Sequence, residues 1–147
     1  MTEATIEEVL RCSSLVPLAL QHRAMEDTWL GKYFIPKDTL IVGNLFAAHT
    51  QEGTWKNPAE FHPRRFLTPD GLLRRNEALL PFSTGKRKCL GERFARDEIF
   101  LYLTSIFQNF RVSPANNTKI PLDCFVSTTI TPKPFHVIFS TLEKVSG

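Results

Sequence analysis

Apolar and polar residues follow each other along this chain in three successive rhythms. Near the start, Ile6, Val9 and Leu10 recur at helical spacing among acidic and polar neighbours, which predicts a helix over 2–13. Thr5 and Glu8 have the spacing of a capping box, and Pro17 prevents the helix from running much further. Residues 15–20 form a short apolar segment. Residues 28–35 and 40–44 read as two strands of a small β-sheet, joined by a turn at Pro36-Lys37-Asp38-Thr39, and 45–49 as a short helix. Periodicity then disappears from 50 to 81, where Pro58, Pro63, Pro69 and Pro81 punctuate a long meander. A stretch of that length within a compact domain is commonly functional.

The longest helical pattern covers 90–109. Phe94, Leu101 and Phe107, with Ile99, Leu103 and Ile106, make a broad apolar stripe, while Arg93, Arg96 and Asp97 sit among polar positions. Residues 110–113, 125–130 and 135–139 read as short strands separated by Pro114, Pro121, Pro132 and Pro134. The sum is an α+β chain, mainly α, with no internal repeat.

Composition narrows the classes. A chain of 147 residues with 42% hydrophobic and 22% charged residues can form a folded core. A net charge of +3 is too mild to argue for a nucleic-acid partner. The three cysteines Cys12, Cys89 and Cys124 are far apart and include no Cys-x-x-Cys pair, which argues against a disulfide scaffold or a zinc site. The first residues are polar and acidic, and no apolar run approaches the ~20 residues that span a bilayer. The chain alone is therefore expected to be soluble and without an anchor.

Candidate chemistry concentrates at Cys89. The segment Pro81-Phe82-Ser83-Thr84-Gly85-Lys86-Arg87-Lys88-Cys89-Leu90-Gly91-Glu92 places one thiol at the end of a basic, glycine-containing loop, just before the long helix. Thiolate formation is favoured at a helix N-terminus and beside cations, so this cysteine suits metal ligation. Gly85 and Gly91 permit backbone conformations and close approaches that a β-carbon would block. Taken alone, a lone cysteine is more often a small buried apolar residue.

Phe82, Gly85, Arg87, Cys89 and Gly91 match the signature Phe-x-x-Gly-x-Arg-x-Cys-x-Gly, and in this the chain resembles the C-terminal part of a cytochrome P450. Three further matches follow in order. Glu8 and Arg11 form Glu-x-x-Arg, which alone is commonly an ion pair on a solvated face. In the family this pair is buried and locked to an arginine of the meander, which would be Arg65 in Phe61-His62-Pro63-Arg64-Arg65-Phe66. Arg64 replaces the family's usual glutamate. His22, otherwise a surface-loop histidine, matches a propionate-contacting position of microsomal members, with Gln21 where the family often has proline.

The resemblance implies the Glu-x-x-Arg helix, small sheet, meander, cysteine loop, long helix and final strands of that fold, as an incomplete portion of one domain over 1–147. It implies haem b (iron protoporphyrin IX) with Cys89 as iron ligand and catalytic residue. Phe82, Gly85, Arg87, Gly91 and His22 would be cofactor-binding, Arg87 through a propionate. Glu8, Arg11 and Arg65 would form a structural triad. Residues 15–21 and 124–129 would face substrate. The implied activity is haem-thiolate monooxygenation of a small lipophilic substrate, with electrons from an NADPH-dependent flavoprotein reductase. Lys86, Arg87, Lys88, Arg93 and Arg96 would supply its docking patch. The full-length family sits on the cytosolic face of the endoplasmic reticulum through an N-terminal anchor. The helices carrying the distal oxygen-side residues have no counterpart here. The expectation is a truncated chain that is not a competent monooxygenase alone. Two other functions stay open: an inactive fragment with weak or no haem binding, and a haem-thiolate isomerase or lyase that needs no reductase.

Overall fold

The computed structural model describes residues 1–115, 120 and 122–142, so Pro121 lies outside the described residues. The first helix, α1 (Thr2–Ser13), buries Ala4, Ile6, Glu8, Leu10 and Arg11 on one face. Val9 lies at the edge of that face and is 39% exposed. The capping box does not form. The helix begins at Thr2, so Thr5 is already inside it, and both its amide and its hydroxyl donate to Met1 O. Glu8 turns inward instead. Ser14 closes α1 in a left-handed conformation (φ 39°), its N–H donating to Leu10 O at 3.3 Å.

Short antiparallel strands follow. β1 (His22–Arg23), β2 (Thr28–Leu30), β3 (Tyr33–Ile35) and β4 (Leu40–Ile41) make two separate two-stranded sheets, β1 with β4 and β2 with β3. The sequence pattern over 28–35 suggested one strand; it is a hairpin. Gly31 adopts φ +60° and turns the chain back, pairing Leu30 with Tyr33. Of residues 40–44, Leu40 and Ile41 form the strand, and they pair with the earlier His22–Arg23 segment. The short helix α2 (Leu45–Thr50) is capped by Asn44, whose Oδ1 accepts from Ala47 N–H at 2.9 Å.

The meander is held by a 3-10 turn at Pro63–Phe66 and by a bridge between Leu67 and Leu73. It delivers the core. Ala4 from α1 meets Trp55 and Phe66 from the meander, with Leu67, Ala78 and Leu79 packed around them. The rings of Trp55 and Phe66 lie 5.7 Å apart and tilted, and Trp55 Nε1 donates to Ala48 O at 2.7 Å. Burying each such ring contributes about 2–3 kcal/mol by transfer alone.

The long helix α3 (Glu92–Asn109) starts two residues later than its pattern suggested, because Leu90 and Gly91 belong to the turn that leaves the cysteine loop. Its apolar stripe is open: none of its residues is buried, and Phe94, Leu101 and Phe107 are 73%, 62% and 59% exposed. β5 (Phe110–Pro114) continues directly from α3 and pairs with β8 (Val137–Thr141). The segment 125–130, read as one strand, is part of a second hairpin. β6 (Cys124–Val126) turns through 127–129 and pairs with β7 (Ile130–Pro132), where Ser127 N–H donates to Thr129 O. The small sheet expected near the start is thus two two-stranded ones, and the final strands form two more among the described residues.

Candidate functional site

The Cys89 loop is shaped by two left-handed residues, Ser83 (φ 62°) and Gly85 (φ 71°). Ser83 N–H donates to Leu80 O at 3.0 Å, which starts the turn. A 3-10 turn at Gly85–Arg87 follows, with Lys88 N–H on Gly85 O. Cys89 N–H then reaches back to Phe82 O at 3.0 Å and closes the loop. A β-carbon added at Gly85 would meet no atom within 4 Å, so the requirement there is the positive φ and not space. At Gly91, by contrast, a β-carbon would meet only Cys89 Sγ, at 3.8 Å.

The loop leaves the thiol open to the outside. All three cysteines are free thiols, and Cys89 is exposed, as is Leu90 beside it. A cleft of about 760 Å³ is lined by Cys89, Gly85, Lys86, Lys88, Arg93 and Arg96 together with Arg74, Arg75 and Leu79. Phe82 is half-buried under the Arg96 guanidinium, 5.3 Å from its ring centre. Lys88 Nζ pairs with Glu92 Oε2 at 2.6 Å, which ties the loop to the first turn of α3. Arg87 and His22 are both exposed. Among the described residues no hydrogen bond or ion pair connects either of their side chains to the Cys89 loop. Leu15, in the 15–21 segment, accepts at 2.8 Å from the N–H of Ile130, the residue that follows the 124–129 segment.

Glu8, Arg11 and Arg65 converge at the other end of the meander. Glu8 is fully buried, and its Oε2 accepts from Arg11 Nε at 2.8 Å. Its Oε1 accepts from Arg65 Nε at 3.0 Å, Arg11 Nη2 at 3.0 Å and His62 N–H at 2.7 Å. Burial pushes the Glu8 carboxyl up, but hydrogen bonds from Arg11, the His62 amide and Arg65 outweigh it and hold it below its usual range. The guanidiniums are satisfied in turn by backbone carbonyls. Arg65 donates to Lys56, Asn57 and Glu60, and Arg11 to His49 and Glu60. Arg64 stays exposed, so only one of the adjacent arginines enters the network.

Three participants carry no sequence signal. Glu7 pairs with Arg96 Nη1 at 2.8 Å and joins α1 to α3. Trp55 lies under Arg11, 5.5 Å from its ring centre. His49 is completely buried, with Nδ1 2.9 Å from Ser14 Oγ and Nε2 2.9 Å from Leu80 N. Burial, and then the charge of Arg11, lower its pKa from 6.5 to about 4. A lone histidine on a short helix gives no hint of such a place.

These shifts fix how stability depends on pH. Unfolded His49 takes up a proton near 6.5, whereas folded His49 does so only near 4. Between those values the unfolded chain binds more protons, so acidification favours it. Stability is complete above pH 6.5 and falls as pH drops toward 4, by on the order of 3 kcal/mol from this group. Glu8, with its lowered pKa, adds a further loss below 4.5. Urea midpoints measured from pH 7 to 4.5 should fall, and His49→Gln should flatten that slope. A midpoint constant between pH 7 and 5 would contradict the assignment.

Comparison with known proteins identifies the relatives of this arrangement. The family model "Cytochrome P450" matches residues 1–139. The chain is 42% identical over 140 residues to human cytochrome P450 2U1, covering 95% of this chain and 26% of that protein. It is 40% identical over 139 residues to farnesoate epoxidase of Bombyx mori, covering 94% of this chain and 28% of that one. Human cytochrome P450 2J2 is 42% identical over 131 residues, 89% of this chain and 26% of its own length. The chain spans about a quarter of the length of these relatives. A chain matched over nearly all its residues by the family model, and by animal members at this identity, belongs to the cytochrome P450 family.

Proposed function

We propose that residues 1–147 are the C-terminal portion of a single cytochrome P450 domain and that Cys89 is its axial haem ligand. The observation that carries this reading is the loop that presents an exposed thiol immediately ahead of α3, closed by the Cys89 N–H to Phe82 O bond. The residues fit haem b. One thiol stands alone as donor, and Arg87 is exposed and makes no ion pair among the described residues, so it is available to a propionate. His22 is the second propionate donor in this reading. Phe82 shields the loop side, and Glu8, Arg11 and Arg65 secure the meander that leads into it.

Cys89 would hold the haem through its thiolate, and haem held there would supply oxygen activation. The chain's own part is to bind and orient the cofactor and keep water from the sulfur. The substrate class is small and lipophilic, and it meets the exposed apolar segments at 15–21 and 124–129. The parent protein then resides on the cytosolic face of the endoplasmic reticulum. Among the described residues no helix is long and apolar enough to cross a membrane.

A second reading has its own support. The large exposed apolar side chains, including those of α3, need partners that the described residues do not supply. On this reading the chain by itself binds haem weakly and does not turn over substrate.

A reduced, carbon monoxide-treated sample of the chain mixed with haem tests the first proposal. A strongly red-shifted Soret band, absent in Cys89→Ala, is expected. A spectrum identical in the variant would refute ligation by Cys89.

Electron delivery uses the loop's basic face. Lys86, Arg87, Lys88 and Arg93 are exposed, whereas Arg96 is held by Glu7 and Glu92 and is withdrawn from the patch. The partner is an NADPH-dependent flavoprotein reductase with an acidic docking surface. Changing Lys86 and Arg93 to Glu in the full-length parent should weaken reductase binding by about tenfold or more and reduce its salt dependence. Unchanged affinity and salt dependence would remove the patch.

A further inference from the structure

His49 has both ring nitrogens engaged, and the partners decide its protonation. Leu80 N is a backbone amide and can only donate, so Nε2 accepts. The proton of the neutral ring is therefore on Nδ1, which donates to Ser14 Oγ at 2.9 Å. The Ser14 hydroxyl in turn donates to Arg11 O at 3.0 Å. A continuous line of donors thus runs from Leu80 through His49 and Ser14 to the last turn of α1. Leu80 is the root of the cysteine loop. Its carbonyl receives Ser83 N–H, and two residues on Phe82 O receives Cys89 N–H. Among the described residues, the bond to His49 is the one hydrogen bond that joins the body formed by α1 and α2 to this root. The loop's other ties, Lys88 to Glu92 and Arg96 over Phe82, come from α3.

We propose that His49 is a positioning residue for Cys89, fixing the loop's root through its Nδ1–H tautomer while α3 fixes its far side. The loop is then held from opposite ends, and the thiol's place relative to α1 is set through the imidazole. The consequence for haem ligation rests on the proposed role of Cys89, but the anchor itself does not require haem.

Two substitutions separate anchoring from simple filling of space. Glutamine places an amide oxygen near the position of Nε2 and can accept from Leu80. Asparagine places its amide near Nδ1, keeps the contact with Ser14, and falls short of Leu80. Amide hydrogen exchange of the full chain without haem is the readout. His49→Asn should speed exchange at Leu80 and Cys89 by about tenfold, the equivalent of one ordinary hydrogen bond, with Leu10 in α1 unchanged. His49→Gln should stay close to the unaltered chain. Equal acceleration in both variants, or none in either, would overturn the proposal. Nitrogen-15 shifts of the His49 ring in the unaltered chain provide an independent test should His49→Asn fail to fold. Neutral Nδ1–H at pH 7 is expected, and an Nε2–H ring or an imidazolium would overturn the proposal. Because none of these measurements involves haem, a failure of Cys89 to ligate iron would leave them intact and be seen separately.

Discussion

A single buried carboxylate holds this structure together. Glu8 projects from α1 into the interior, where an unpaired charge would cost several kcal/mol. It is stabilised because two guanidiniums and one backbone amide converge on its two oxygens. Arg11 is local, three residues along the same helix. Arg65 and His62 belong to the meander, so the charge can be satisfied only when that irregular segment is in place. The meander's carbonyls in turn satisfy the arginines. A stretch whose regular hydrogen bonding amounts to one 3-10 turn and one isolated bridge is thereby given a defined course by electrostatics.

The rest follows outward from that point. With the meander fixed, Trp55 and Phe66 close over Ala4 as a small apolar core, and Leu79 joins it. The next residue, Leu80, is tied to His49, and the cysteine loop begins immediately afterwards. From α3, Arg96 reaches Glu7 and Phe82, and Glu92 reaches Lys88. Charged and polar contacts hold these elements together, while the apolar stripe of α3 faces outward. The core is small for a chain of 147 residues, in keeping with one that spans about a quarter of its relatives.

Helices are the legible parts of the sequence. The period of Ile6, Val9 and Leu10 located α1, and the short run from Leu45 to His49 located α2. The two segments read as single strands, 28–35 and 125–130, are each broken by a turn. Gly31 was the available signal at the first hairpin, and Ser127-Thr128-Thr129 at the second. The capping box was misread because Thr5 and Glu8 have competing uses, and the desolvated partner for Glu8 is another charge. The grouping of Glu8 with Arg11 was visible in spacing, whereas Arg65 lies 57 residues away from Glu8 and only family resemblance suggested it. His49 and Glu7 depend on distant backbone and side-chain partners that no local pattern records.

A double-mutant cycle between Glu8→Gln and Arg65→Gln, read as urea stability at pH 7, measures the dependence of the meander on this carboxylate. Each single change should cost about 3–5 kcal/mol, because each leaves a buried charge or donor without its partner. The double variant should be less damaged than the two losses summed, with a coupling of about 1.5–3 kcal/mol. Strictly additive losses, or single losses below about 0.5 kcal/mol, would show that the carboxylate does not hold the meander in place.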